Sequence, residues 1–175
     1  MTRQLRDHWR ALAARLDATA ADEAQLLRTG STLARALLGE LTDVTAARGI
    51  YGRPGAQGFG AQLAAIHSVL VDTALEVNQA LRFAVLDVVH VVTLLDLLAR
   101  VSAHEADPEL QAFLERWSAQ MRAQEDAIRA AVITLGDAPD LAVQASTPGL
   151  AGRVGHGAAT AIGTVGEWVD RRCAR

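Results

Sequence analysis

Four side chains have the types and spacing for metal chemistry. Asp87 and His90 stand three residues apart, which puts both on one face of a helix. Glu115 and Glu125 lie on what reads as the neighbouring helix, and Glu125 falls one turn after Met121 and one turn before Ile128, along an otherwise apolar ridge. Carboxylate-bridged metal sites in helical bundles draw Glu, Asp and His inward from facing helices, so this set would hold Fe or Mn. A plainer reading stands beside it. Asp87 and His90 belong to a mixed-sign stripe with Arg82 and Arg100, and such stripes usually face water. Glu125 has Arg122 and Arg129 within one turn as ion-pair partners.

No other constellation supports a reaction. The chain has no Gly-x-Ser-x-Gly, no Cys-x-x-Cys and no His-Glu-x-x-His, and no phosphate-cradling Gly-x-x-x-x-Gly-Lys run. Its one cysteine, Cys173, is third from the end, where a rigid catalytic geometry is hard to build. His67, His104 and His156 are isolated. We therefore expect a non-enzymatic protein. A net charge of −3 argues against coating nucleic acid, although Arg3, Arg6 and Arg10 form a short basic stripe. The single cysteine fits a reducing cytoplasm. The opening residues have no apolar run behind them, so no signal peptide is expected. The most apolar stretch, 83–98, is interrupted by Asp87, His90 and Asp96, so no membrane span is expected either.

The elements that must position these side chains follow from where helix breakers fall. Five glycines lie between Gly49 and Gly60, six between Gly149 and Gly166, and none from 61 to 135. The chain between the two blocks is free to be helical. Leu5, Trp9, Leu12 and Leu16 form one apolar stripe at four-three-four spacing, and Leu33, Leu37, Leu41 and Val44 resume the pattern. Gly30 between them predicts a kink or a new start. Region 61–105 predicts a second helix, possible kink near Asn78 included. Val77, Leu81, Val88, Val92, Leu95 and Leu98 lie on one side, and a polar stripe from Asp72 to His104 runs along the other. Apolar residues cover so much of the circumference over 81–101 that a central helix with several neighbours is expected. A third helix opens on Asp107 as cap and Pro108 as first residue, and closes on Gly136 as a left-handed cap before Pro139.

The stretch Asp107-Pro108-Glu109-Leu110, running on to Leu135-Gly136-Asp137-Ala138-Pro139, resembles a helix of small bacterial ferritin-like four-helix-bundle proteins. The resemblance covers about 81–139. It implies a four-helix bundle and, for the family's iron chemistry, two Glu-x-x-His motifs. Here Glu125 is followed three later by Ile128 and Glu115 by Ser118, so only Asp87-x-x-His90 comes near.

The expected protein is all-α: an antiparallel bundle of about four main helices over 1–139 with a loop at 49–60, then a linker and a small-residue-rich helix or tail over 140–175. If regions 2–48 and 61–105 were unbroken they would be rods of about 70 Å. Apolar surface on such rods favours a homo-oligomer. Gly155, Ala159 and Gly163 at four-residue spacing suit close helix packing, so 148–172 is a candidate for a protein partner or a membrane surface.

Overall fold

A computed structural model describes residues 1–50 and 75–146. Among these residues the chain is helical and has no strand. The long helices are α1 (Thr2–Leu16), α2 (Ala21–Ala47), α3 (Val77–His104) and α4 (Pro108–Thr134). A 3-10 turn, Leu135–Asp137, and the short α5, Pro139–Ala142, follow.

The four-three-four stripe of α1 is wholly inside: Leu5, Trp9, Leu12 and Leu16 are buried. The break after it falls at Asp17–Ala20 and not at Gly30. Leu16 O accepts from Thr19 N–H and Ala20 N–H, at 2.9 and 2.7 Å, and closes the turn. Asp17 and Thr19 suit that turn, and Asp22 and Glu23 suit the positive end of the next helix. Helix α2 then runs unbroken through Gly30, which is buried. A Cβ there would lie 2.1 Å from Trp9 Cζ3. The glycine is a notch that lets α1 press its indole against α2.

The start of α3 also differs from expectation. Glu76 is extended, and Val77 N–H donates to Gln144 O at 2.9 Å while Ser146 N–H donates to Leu75 O at 2.8 Å. Asn78 is thus not a kink inside a long rod. It sits in the first turn of α3, where its Nδ2 donates to Glu76 Oε2 and to Ala142 O, both at 2.8 Å. At 27 or 28 residues, α2, α3 and α4 are each about 40 Å long, not 70.

Helix α4 begins as its residues demand: the Asp107 carboxylate accepts from Leu110 N–H at 3.0 Å, and Pro108 fills the first position. Its end is not the expected left-handed glycine. Gly136 lies within the 3-10 turn, and Ala138 N–H satisfies Leu135 O at 3.1 Å. Tightening the last turn supplies the same missing donors that a left-handed residue would. Positive φ occurs instead at Gly49 (63°) and at Ala106 (55°) in the joint between α3 and α4.

Short connections make α1/α2 and α3/α4 antiparallel hairpins, and side-chain bonds set how the hairpins meet. Helix α2 lies antiparallel to α4: Gln124 Nε2 donates to Leu26 O near one end, Glu40 meets Arg116 and Trp117 further on, and Arg48 reaches Asp107 at the other end. Helix α1 touches α3 through His8 and Asp87. Neighbouring helices are antiparallel, while α2 and α3, on the diagonal, run the same way. Ile50 and Leu75 are therefore at opposite ends of the bundle. One apolar cluster, built from all four helices, fills the centre.

The Arg48–Asp107 clasp carries a pH dependence. The guanidinium of Arg48, bonded at 2.7 and 2.9 Å, and then the Leu110 N–H hold the Asp107 carboxyl at about 2, below the usual 3.8. A depressed folded value means the contribution is complete above 3.8 and is lost as pH falls through about 2. Asp107→Asn is expected to lower the melting temperature near neutral pH. That gap to the wild type should narrow between pH 3.8 and about 2, as followed by thermal unfolding across that range.

Candidate interaction surface

The four residues with metal-ligand character are not gathered. Asp87 is occupied across a helix interface, its Oδ2 lying 2.6 Å from His8 Nδ1 of α1. His90, one turn on, is exposed. Glu115 is exposed on α4 and accepts from Gln111 Nε2 at 2.8 Å. Glu125 is buried, yet its carboxylate goes to Arg129 at 2.6 Å, one of the two pairings its helix neighbours offer. Among the described residues no group of three or more His, Cys, Asp or Glu is placed to hold a metal ion.

Two further carboxylates at helix interfaces are committed to joining helices. Asp96 of α3 takes bonds from Ser118 and Arg122 of α4. Glu40 of α2 accepts from Arg116 at 2.7 Å and from Trp117 Nε1 at 3.2 Å, with the Arg116 guanidinium stacked over Phe113 and Trp117. The Arg116 bond, and then the indole bond, hold Glu40 below the ordinary carboxylate range. A shallow groove between α2 and α4, floored by Leu33, Ala36 and Ala123 and edged by Thr29 and Gln120, contains no titratable group. It offers contact area but no reagent.

What stands out is the outer face of α3. Its inner face, from Val77 through Leu81, Val88, Val92 and Leu95 to Ala99, is buried as the periodicity predicts. Its outer face is apolar as well: Leu86 is 62% exposed, Leu97 58%, Val101 48%, Leu98 40% and Leu94 37%. The expected polar stripe is split by the packing. Asp87 and Asp96 turn to opposite flanks, toward α1 and α4, and leave His90, Thr93, Arg100 and His104 exposed among these apolar residues. Leu98, expected inside, is on the outside.

Helix length accounts for the exposure from Leu94 onward, though not for that of Leu86, which lies level with α1. At 15 residues, α1 is little more than half as long as its neighbours. With His8 level with Asp87 and the two helices antiparallel, a rise of 1.5 Å per residue puts Thr2 level with about Thr93. From Leu94 onward α3 has no α1 beside it. The apolar circumference over 81–101 signals several neighbours, but among the described residues only α4 runs the full length of α3.

Segment 148–172, marked in the sequence for a partner or a membrane surface, and most of the 49–60 loop lie outside the described residues. No helix among the described residues is long and apolar enough to cross a membrane. No family model, no curated protein and no solved structure matches this chain.

Proposed function

We propose that this is a non-enzymatic interaction protein that works through a helix face as a homo-oligomer, and that the outer face of α3 is the working surface. The observation that carries this reading is the row of five large apolar side chains on one helix, exposed by 37–62%. Single exposed leucines need no explanation, but a contiguous patch on the order of 400 Å² is at the scale that marks an association surface. Asp87 with His8, Asp96 with Ser118 and Arg122, and Glu40 with Arg116 and Trp117 pair across helix interfaces, which supports the same reading. These groups serve architecture, and the outer face of α3 keeps its row of apolar side chains.

The test is the solution mass of the full chain by light scattering, over roughly 1 to 100 µM, where an interface near the lower size limit would dissociate. A mass rising toward at least twice the 18.5 kDa of one chain is expected. A strict monomer across that range would sink the reading. Metal analysis of protein purified without chelator separates it from an iron or manganese role: stoichiometric iron or manganese would count against the non-enzymatic reading.

A further inference from the structure

The outer face of α3 has a repeat as well as a composition. His90, Leu97 and His104 recur every seven residues, and Leu94 and Val101 stand between them at alternating four- and three-residue steps. That is the two-position pattern of a coiled-coil seam. All five residues are exposed. On a helical projection Arg100 borders this seam on one side and Glu105 on the other. Both are exposed, and neither side chain makes an ion pair among the described residues.

Resting on the reading above, we propose that the occupant of this face is a second copy of the same chain, with the two α3 helices side by side and parallel. In that arrangement Arg100 of each copy pairs with Glu105 of the other. The charges choose the direction. A twofold axis running along the helices brings opposite edges of the seam together, so each Arg100 meets a Glu105 five residues further on in the copy. An antiparallel pair brings like edges together. It would set the Arg100 edge against itself and leave Glu105 facing the apolar edge that carries Leu98.

The packing around α3 admits such a neighbour. Leu94, Leu97 and Val101 lie beyond the level where α1 stops, so among the described residues no other helix stands over them. A shallow crossing near 20° keeps the two copies in contact from Leu94 to Glu105. Each copy would contribute on the order of 400 Å² once the stem of Arg100 is counted, which leaves the pair below the total of about 1,200 Å² usual for a stable interface and makes the pairing a weak, concentration-dependent one. The two histidines at seam positions weaken the pair relative to an all-apolar seam and fix its register.

A charge-swap series on the full chain, read by sedimentation equilibrium, tests the arrangement. Arg100→Glu alone and Glu105→Arg alone each place like charges opposite one another twice per dimer, and each should weaken association about tenfold. The double variant Arg100→Glu/Glu105→Arg restores the pairs in reverse and should return to within about threefold of wild type. Leu97→Lys should give a monomer. All three positions changed are exposed, so helix content by circular dichroism should not move. Single swaps without effect, a double variant weaker than either single, or a dimer that survives Leu97→Lys would overturn the parallel α3 pairing and leave an interaction role standing. A wild-type chain that stays monomeric would overturn both.

Discussion

Gly30→Ala is expected to destabilise the protein by about 2 kcal/mol, although alanine is the better helix former. Propensity alone would favour alanine by about 1 kcal/mol. Against that, the new Cβ would sit 2.1 Å from Trp9 Cζ3, 2.4 Å from Cε3 and 3.0 Å from Gln124 Nε2. Trp9 is fully buried, so its ring has no solvent to retreat into. Gln124 is held by its bond to Leu26 O. Overpacking of this kind costs about 1–3 kcal/mol, and contacts this short belong at the upper end. The companion change makes the cost diagnostic. Trp9→Ala should cost about 3–5 kcal/mol, a large share of a typical 5–15 kcal/mol. Trp9→Leu is the milder background for a chain that must still fold. In either background the clash with the indole is gone and only the 3.0 Å approach to Gln124 Nε2 remains, so Gly30→Ala should cost much less than in the wild type. Urea unfolding of the four proteins in one cycle reads the coupling. An alanine that stabilises the wild type would mean that α1 does not press into α2 at this point.

Gly30 also shows where sequence reasoning stops. A glycine inside a helical pattern reads as a breaker because the backbone penalty is local and visible. The reason for this one is tertiary: Trp9, 21 positions earlier, fills the space a side chain would need. The same division runs through the fold. The stripe from Leu5 to Leu16, the Asp107–Pro108 start and the apolar ridge of α4 were legible because each is written within one or two turns. The break at 17–20 was harder to read, since Asp17 and Thr19 are weaker signals than a glycine. The interruption expected near Asn78 falls at Leu75–Glu76, where residues 144–146 pair with the chain, and no local pattern in α3 announces that partner.

The candidate surface was half legible. Counting apolar residues over 81–101 reveals that α3 has too many for one buried face. It does not reveal which neighbour is missing, because that depends on α1 ending level with Thr93. Asp87 and His90 show the converse. Their spacing is right for ligands, but ligand sets are assembled across helices, and His8 on α1 already takes the Asp87 carboxylate. Spacing along one helix cannot report what arrives from the next.

Two isoleucines on α4, five residues apart, should respond to the same substitution in opposite ways. Ile128 is fully buried and Ile133 is 71% exposed. Ile128→Ala removes core methyl groups and leaves a cavity, so a loss of about 2–5 kcal/mol is expected. Ile133→Ala removes surface already in water and gains helix propensity, so a change within about 0.5 kcal/mol of zero is expected. The contrast is a test of register. Burial on α4 alternates through Phe113, Leu114, Trp117, Met121 and Ile128, and then Ile133 falls off the stripe. If α4 were rotated by one residue toward α2, the ridge would shift and the two costs would converge. Equal losses in chemical denaturation would refute the packing of α4 against the other three helices. A large difference in the stated direction would fix the face that α4 turns to the bundle interior.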